Sequence, residues 1–352
     1  MTGHPVVRDA GSLTALVRRI LETAGADAAN ARIVADHLVL ASLSGVDTHG
    51  VATLESYVLG IEQGTLLPRA KPTIDCDHGL TARIRGHWGF GHVAALVATD
   101  LGIEKAKRDG AAIVAIVECG HIGRVGHFVE RAAAAGVVAL VFTGGYGVAA
   151  AKAVPFGGRE PVLHTNPIAF AFPGGSEGGP TFDFATTAVA GSKVVRAQRL
   201  GAKLPPGSVV DPYGEPSDDP QVVGNGGWYV PFGGHKGYAI MVAAEWLGRI
   251  ETGADDFASE SPAEPLMRHQ GVLGIFMRPD LFAEASDTGR RSDETATRIR
   301  RAAPTSESGP AVRLPGDGTR AERIRRSEAG IPIDAETWAG LVDLAHRLGV
   351  EV

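Results

Sequence analysis

Residues 92–118, HVAALVATDLGIEKAKRDGAAIVAIVE, join a segment of helical length to a run of small and β-branched apolar residues. The first part predicts a helix, and AAIVAIVE predicts a buried strand. Runs of similar texture, punctuated by Gly and Pro, flank this stretch: TARIRG (81–86), GVVALVF (136–142), PIAFAFP (167–173) and TFDF (181–184). Short strands combined with a helix of this length predict an α/β domain.

Helical periodicity marks the N-terminal part of the chain. Residues 12–24 place their apolar side chains on one stripe, with Ser12 as the expected N-cap and Gly25 as the stop. A second helix is expected from about Asp27 to Ser42, directly before a glycine turn.

The C-terminal part is also predicted to be helical. Residues 283–310 form a charged connection without a core pattern, and AERIRRSEAG (321–330) and AETWAGLVDLAHRLG (335–349) then predict two helices. We expect these helices to pack with the N-terminal pair. The predicted domains are a helical domain of residues 1–75 with 290–352 and an α/β domain of residues 76–289.

Composition argues against several classes of partner. The 352 residues carry a formal net charge of -6, and their pI is near 6.1, so no basic face for nucleic acid is expected. Two cysteines, Cys76 and Cys119, are too few for a disulfide framework. The longest apolar runs are far shorter than the roughly 20 residues of a membrane-spanning helix. We expect a cytoplasmic protein without membrane or nucleic-acid partners.

Two local motifs resemble those of other enzyme classes. GFGHVA (89–94) fits the GxGxxA fingerprint of Rossmann domains, but Glu118, the candidate ribose ligand, comes later than the expected spacing of about 20 residues. We interpret it as a tight strand-to-helix turn. GGSEG (174–178) fits the GxSxG elbow of hydrolases, but a proline and another strand-like run follow it, which favours a hairpin loop.

Two of the 12 histidines stand out by their context. His49 lies in a polar glycine turn beside Asp47 and Thr48, and His121 follows the strand AAIVAIVE, where α/β proteins commonly place ligand-facing residues. A zinc site of His49, His121 and His127, as in a metal-dependent hydrolase, is an alternative. It lacks the close i, i+4 pairing of HExxH and an evident carboxylate ligand.

A series of blocks along the chain resembles the malate/L-lactate dehydrogenase family, which is distinct from the Rossmann-type enzymes. The blocks are GVDTHGV (45–51), GHIG (120–123), PFGGREPVLHTNPIAFAFP (155–173), FDFATTAVAGSK (182–193), PFGGHKGYA (231–239) and RLPGDG (313–318), followed by GIPI. They run through nearly the whole chain, and in this order they are far more specific than either local motif.

The resemblance implies an enzyme that uses NAD or NADP to reduce a 2-oxo acid, a related ketone or an imine, or to oxidise the 2-hydroxy acid. It also implies a mixed α/β domain that binds the dinucleotide in a non-Rossmann manner, and a homodimer. His49 is then the proton donor, Thr48 orients it, and His121 is a second acid/base candidate. Thr165 is an implied substrate contact. The implied cofactor contacts are His121, Ile122, Gly123, Arg124, Val125, Asp183, Phe184, Ala185, Lys236, Pro315, Gly316 and Asp317.

The residue types suit this chemistry. Hydride delivery to a carbonyl carbon leaves an alkoxide, which an imidazole with a pKa near 6.5 can protonate at neutral pH. Lys236 can approach a phosphate or ribose as a point charge, or it can be a solvated lysine at a helix start. Asp183 lies between Phe182 and Phe184 in a strand, so its carboxylate needs a partner from the protein or a ligand.

The sequence departs from the family pattern at Thr53, where the family typically has an arginine suited to holding the substrate carboxylate. A charged hydrogen bond of that kind contributes roughly 1.5 to 3 kcal/mol, which a neutral hydroxyl cannot match. Either Arg124, Arg159 or Lys193 holds the carboxylate instead, or the substrate lacks one. Lys193 also argues against cyclic imines, because relatives that reduce them can carry an Asp at the matching position.

Two questions stay open at this point. The chain can be a cofactor-binding regulatory or catalytically inactive relative, in which Thr53 marks lost catalysis, although retention of His49 and His121 argues against this. The choice between NAD and NADP is also open. Arg124 or the cluster of Arg323, Arg325 and Arg326 can reach a 2′-phosphate, but a basic helix face of this kind is usually solvated.

Overall fold

A computed structural model describes residues 4–145, 151–175, 178–260, 270–306 and 310–352. The predicted mixed α/β fold is confirmed: a seven-stranded sheet carries helices, and a helical layer is built from both ends of the chain. The domain boundaries at 75/76 and 289/290 stay a prediction.

The N-terminal helices begin and end close to the predicted positions. Strand β1 (Val6–Arg8) precedes α1 (Ala10–Thr23), and α2 (Ala28–Leu43) and α3 (Leu54–Glu62) follow. The expected N-cap at Ser12 is wrong, because the Asp9 carboxylate accepts a hydrogen bond from the Ser12 amide at 2.8 Å and so starts the helix earlier. Gly25 follows the end of α1 with a φ of 114°, as a glycine stop requires.

The sheet has the strand order β2-β3-β4-β11-β5-β6-β7. β3 runs parallel to β4 through the crossover helix α4, and the other neighbouring pairs are antiparallel. The strand runs predicted from the sequence all lie in this sheet. The bounds are β2 (Thr73–His78), β3 (Thr81–Arg85), α4 (Gly91–Asp109), β4 (Ala111–Cys119), α5 (Gly126–Ala134), β5 (Val138–Gly145), β6 (Ile168–Ala171), β7 (Thr181–Phe184) and β11 (Gln270–Met277).

The remaining helices and short strands lie outside the seven-stranded sheet. They are α6 (Gly191–Leu200), β8 (Val209–Val210), β9 (Pro216–Ser217), β10 (Trp228–Tyr229), α7 (His235–Glu245), α8 (Ala285–Arg300), α9 (Asp317–Ala329), β12 (Ile331–Ile333) and α10 (Ala335–Arg347). The charged connection predicted over 283–310 is largely the helix α8. The sequence of α8 shows no apolar stripe because, among the described residues of this helix, only Ala296 is buried.

The two chain ends share one hydrophobic core. The cluster joins buried residues of α1, α2 and α3 with residues of β12 and α10, and β1 pairs antiparallel with β12. Phe90 and Val93, at the start of α4, belong to the same cluster. The helical layer therefore packs where the crossover helix leaves the sheet.

The two rejected motifs take ordinary structural roles. Gly91 starts α4, and a Cβ there would lie 2.3 Å from the carbonyl oxygen of Gly120. The glycine therefore allows a close approach of the protein's own backbone at Gly120. Glu118 is buried and paired with Arg85. The GGSEG segment connects the antiparallel strands β6 and β7, as a hairpin loop does, although its residues 176 and 177 lie outside the described part of the chain.

Candidate functional site

His49 is presented by two short 3₁₀ turns, Asp47–His49 and Val51–Thr53, between α2 and α3. The Val51 amide donates to the Ser42 hydroxyl at 3.2 Å, which ties the turns to the end of α2. A Cβ on Gly50 would lie 2.1 Å from that hydroxyl oxygen. The glycine after His49 is therefore required by close packing.

Helix α9 holds this turn from the other end of the chain. Arg326 is buried and donates to the Asp47 carboxylate at 2.6 Å and to the Ser42 carbonyl at 2.7 Å. It also donates to Glu322 at 2.6 Å. The expectation that this basic helix face is solvated is wrong for Arg326, because its charge is used to fix the histidine turn. Sequence reasoning missed this role, and no local pattern linked residues so far apart.

His49 and His121 lie face to face. Their ring centroids are 5.5 Å apart and the rings are inclined by 21°. The Thr48 hydroxyl lies 3.0 Å from Nδ1 of His49, which fits the predicted orienting role. His121 follows the end of β4, so the sheet supplies one imidazole and the helical layer supplies the other.

Burial sets the protonation of this pair. It lowers the pKa of His49 below the ordinary value of histidine, with the Asp183 carboxylate opposing and the Arg124 guanidinium reinforcing the shift. It lowers the pKa of His121 well below that value, and the neighbouring His49 adds to the effect. Both imidazoles are therefore neutral near pH 7.

Tyr57 lies behind His121. It is buried in α3, and its hydroxyl oxygen is 2.7 Å from Nδ1 of His121 and 3.3 Å from Nε2 of His92. Thr53 lies beside it, and the Thr53 hydroxyl donates to the Gly50 carbonyl at 2.8 Å. Sequence reasoning missed Tyr57. No local pattern linked Tyr57 to His49, because the extended residue Gly50 interrupts the helical turns between His49 and α3.

Asp183 and Arg124 meet at the start of α5. The Gly126 amide donates to the Asp183 carboxylate at 2.9 Å, and Nε of Arg124 lies 3.5 Å from the same oxygen. These are the partners that Asp183 was expected to need. Burial raises the pKa of Asp183, with Arg124 and His49 among the opposing influences. The structure thus brings the predicted residues His49, His121, Arg124 and Asp183 together.

The three cations considered for a substrate carboxylate differ in their surroundings. Arg124 is buried and already binds Glu130 through two hydrogen bonds of 2.6 and 3.0 Å. Arg159 and Lys193 are exposed, the latter in α6. The Thr53 hydroxyl already donates a hydrogen bond to the Gly50 carbonyl. A carboxylate would therefore have to compete with Glu130 for the buried guanidinium.

The other predicted site residues lie on β7, at the start of α7 and in the segments beside them. Phe184 ends β7 and is 38% exposed, and its ring centroid lies 5.7 Å from that of Phe232. Lys236 is exposed at the start of α7, four residues after Phe232. The carbonyl of Thr165 accepts from the Thr186 amide at 2.9 Å, beside Ala185.

Pro315, Gly316 and Asp317 form the turn before α9. The Pro315 carbonyl accepts from the Thr181 amide at 3.0 Å, which attaches this turn to the start of β7. Hydrogen bonds from Arg300 and Arg320 hold the pKa of Asp317 far below its usual value. The Asp317 carboxylate thus has protein partners of its own.

The zinc alternative finds no support in the arrangement of side chains. Over the described ranges, no group of three or more His, Cys, Asp or Glu side chains is placed to hold a metal ion. His127 packs against His37, at 4.7 Å between ring centroids, instead of completing a site with His49 and His121. The described helices also include none that is long and apolar enough to cross a membrane.

Comparison with known proteins decides the family. The sequence pattern of the malate/L-lactate dehydrogenase family matches residues 9–342. The chain belongs to the malate/L-lactate dehydrogenase family. It is therefore an oxidoreductase of the group that converts 2-hydroxy acids and related imines, and it acts on small molecules.

Members of this family resemble the chain over almost its whole length. Hydroxycarboxylate dehydrogenase B of Escherichia coli O157:H7 is 34% identical over 345 residues, covering 97% of this chain and 94% of that protein. The Delta(1)-pyrroline-2-carboxylate/Delta(1)-piperideine-2-carboxylate reductase of Pseudomonas putida is 32% identical over 337 residues, covering 94% and 95%. The structure of sulfolactate dehydrogenase from Methanocaldococcus jannaschii superposes with a TM-score of 0.88 at 30% identity, covering 98% of both chains.

Proposed function

We propose that this chain is an NAD(P)-dependent oxidoreductase that reduces a 2-oxo acid, a related ketone or an imine, or oxidises the 2-hydroxy acid, with His49 as the proton donor. The observation that carries the proposal is the stacked pair of His49 and His121, with Asp183 and Arg124 acting electrostatically on His49. A proton donor of tuned pKa beside a second polar ring suits acid/base chemistry at a carbonyl.

The residues around this pair fit a nicotinamide cofactor. Nε of Arg124 is buried without a hydrogen-bond partner among the described residues, although the Asp183 carboxylate is 3.5 Å away. Phe184 presents a partly exposed ring at the end of β7, next to Asp183. We propose that Ile122, Gly123, Val125, Ala185, Lys236 and the Pro315–Asp317 turn contact the remainder of the dinucleotide, which is either NAD or NADP.

A bound nicotinamide supplies the hydride for reduction and accepts it in oxidation. In reduction, His49 gives its proton to the oxygen or nitrogen that becomes negatively charged as the hydride arrives. In oxidation, the neutral His49 accepts the hydroxyl proton. Since its pKa lies below the ordinary value, His49 is ready to accept a proton at pH 7, and the reductive reaction is expected to gain rate as the pH falls toward that pKa.

Thr48 orients His49, and Thr165 and Lys193 are proposed substrate contacts. Thr53 replaces the usual arginine, so the pocket lacks the cation at that position. We propose that the preferred substrate depends less on a carboxylate than those of relatives with the arginine, because a carboxylate would have to share Arg124 with Glu130 and Asp183.

The proposed assembly is a homodimer. Ile240, Trp246 and Ile250 leave an exposed apolar stripe on α7 and the π-helical turn after it. A stripe of this kind favours burial against a second copy. Light scattering behind a sizing column measures the mass directly.

Replacement of His49 tests the proposed function. The protein is first titrated with NADH and NADPH by nicotinamide fluorescence, and 2-oxo acids, ketones and cyclic imines are screened for cofactor oxidation. On any active substrate, His49→Ala is expected to lower turnover at least about a hundredfold with nearly unchanged cofactor affinity, because general acid catalysis contributes about 10²- to 10⁴-fold.

His78→Ala is the matched control, since His78 lies exposed on β2 away from the histidine pair. An unchanged rate in His49→Ala refutes the assigned proton donor. Cofactor binding without turnover of any compound favours a regulatory or inactive relative, and absence of cofactor binding refutes the proposed cofactor site.

A further inference from the structure

The hydroxyl of Tyr57 lies between two imidazoles, the buried ring of His92 and the partly buried ring of His121. The Tyr57 oxygen is 2.7 Å from Nδ1 of His121 and 3.3 Å from Nε2 of His92. Both neighbours are ring nitrogens that donate only when they carry a proton. The direction of hydrogen bonding through Tyr57 therefore decides which nitrogen of His121 is protonated.

The surroundings of His92 decide that direction. His92 is fully buried, and its Nδ1 has no hydrogen-bond partner among the described residues. A buried N–H without an acceptor is rarer in proteins than a buried acceptor without a donor. The proton of neutral His92 therefore lies on Nε2, from which it is donated to the Tyr57 oxygen.

Tyr57 then donates its own proton. Burial raises the pKa of Tyr57 above its usual value, against a smaller effect of the Thr53 hydroxyl, so the phenol keeps its proton. The nitrogen at the shorter distance is Nδ1 of His121, which accepts the proton. The opposite direction would leave the Nδ1–H of His92 buried without an acceptor.

We propose that Tyr57 is a positioning residue that holds His121 as its Nε2–H tautomer, so that His121 serves as a neutral hydrogen-bond donor to the reacting oxygen or nitrogen of the substrate. The inference rests on the proposed function and assigns different roles to His49 and His121. His49 exchanges a proton with the substrate, while His121 keeps its proton and stabilises the developing negative charge.

The tautomer is measured without any substrate. Full-length protein labelled with ¹⁵N in its histidine rings gives nitrogen shifts and ring couplings that distinguish Nδ1–H from Nε2–H, and His121→Gln identifies the His121 signals by their loss. The wild type is expected to show His121 as Nε2–H. Tyr57→Phe removes only the hydroxyl and is expected to give a mixture of tautomers, whereas Tyr229→Phe, a buried tyrosine in a different cluster, leaves His121 unchanged.

Kinetics supply the second measurement. On an active substrate, Tyr57→Phe is expected to lower kcat about tenfold, the loss of one hydrogen bond in the transition state, with cofactor affinity unchanged. An Nδ1–H tautomer of His121 in the wild type overturns the proposal, whether or not the variant folds. An unchanged tautomer in folded Tyr57→Phe overturns it as well. Because the spectrum needs no turnover, these outcomes are distinct from a failure of the oxidoreductase assay.

Discussion

Replacement of Arg326 tests whether α9 holds the histidine turn. Its side chain is 9% exposed and joins α9 to the Asp47 carboxylate and the Ser42 carbonyl across the helical layer. Arg326→Ala removes these contacts and leaves Glu322 with Arg325 as its remaining arginine partner. The neighbouring Arg325, 55% exposed and paired to the same Glu322, provides a matched control.

The magnitude follows from the burial of each partner. A hydrogen bond from a charged donor contributes about 1.5–3 kcal/mol, and the Ser42 carbonyl still receives the Gly45 amide at 3.1 Å, which favours the lower half of that range. The Asp47 side chain is 53% exposed and regains water, so this ion pair adds at most about 1 kcal/mol. Arg326→Ala is therefore expected to lower the free energy of unfolding by about 2–3 kcal/mol, and Arg325→Ala by about 0–1 kcal/mol.

Urea unfolding followed by tryptophan fluorescence measures both variants under one buffer condition. Turnover is also measured in buffer without urea and expressed per amount of folded protein. Because loss of the Arg326 contacts loosens the Asp47–His49 turn, kcat is expected to fall in Arg326→Ala and not in Arg325→Ala. Equal stability of the two variants would refute the conclusion that the buried guanidinium fixes the turn.

Two further predictions concern stability. Burial lowers the pKa of His37, His92, His121 and His127, of His92 to about 3 and of His127 to about 4, whereas unfolded imidazoles titrate near 6.5. The unfolded state then binds more protons than the folded state as the pH falls below about 6.5. The free energy of unfolding therefore decreases on acidification, by at most about 1.4 kcal/mol per pH unit for each of these imidazoles. Equal urea midpoints at pH 7 and pH 5 would contradict this. Gly91→Ala is expected to destabilise the protein and reduce turnover because its Cβ would lie 2.3 Å from the Gly120 carbonyl oxygen. Gly289→Ala in α8, where an added Cβ would meet no atom within 4 Å, is expected to stabilise the protein by about 0.5–1 kcal/mol in the same urea assay. A Gly91→Ala protein as stable and active as the wild type would show that the loop before His121 yields easily.

Local periodicity was enough to predict five of the seven sheet strands, β3 to β7, together with α4 and the helices α1, α2, α9 and α10 near the chain ends, but not β2 or β11. The run AAIVAIVE became β4, a central strand between β3 and β11, in which buried and less buried positions alternate over its first six residues and the last four are buried. The helix α8 was not predicted, because a helix exposed on nearly all sides has no apolar stripe. The N-cap of α1 was misplaced because Asp9 and Ser12 are both suitable N-cap residues. In the structure Asp9 has the extended backbone of an N-cap, and its carboxylate accepts the hydrogen bond from the Ser12 amide.

The candidate site was predictable only where its residues share a short segment. His49 and Thr48 are adjacent, and their turn has a recognisable glycine pattern. Arg326 reaches the turn that carries His49, and Tyr57 reaches His121, through tertiary packing, which composition and spacing do not encode. Position 53 shows the same limit, since the family resemblance predicts that Thr53 stands where an arginine is usual, but no sequence pattern predicts that the Thr53 hydroxyl donates to the Gly50 carbonyl.

The pairing of β1 with β12 has a consequence for the order of events during synthesis. His49 emerges from the ribosome early, but the layer that supports it includes α9, β12 and α10, which are made after the whole sheet. During translation, β3 can pair with β4, and β5 to β7 can pair with one another. Strand β11 then joins the two groups while the segment around His49 still lacks its partners. The turn that carries His49 is therefore held in place only after α9 is released, so a chain stalled on the ribosome before residue 317 would lack the Arg326 contacts to Asp47 and Ser42.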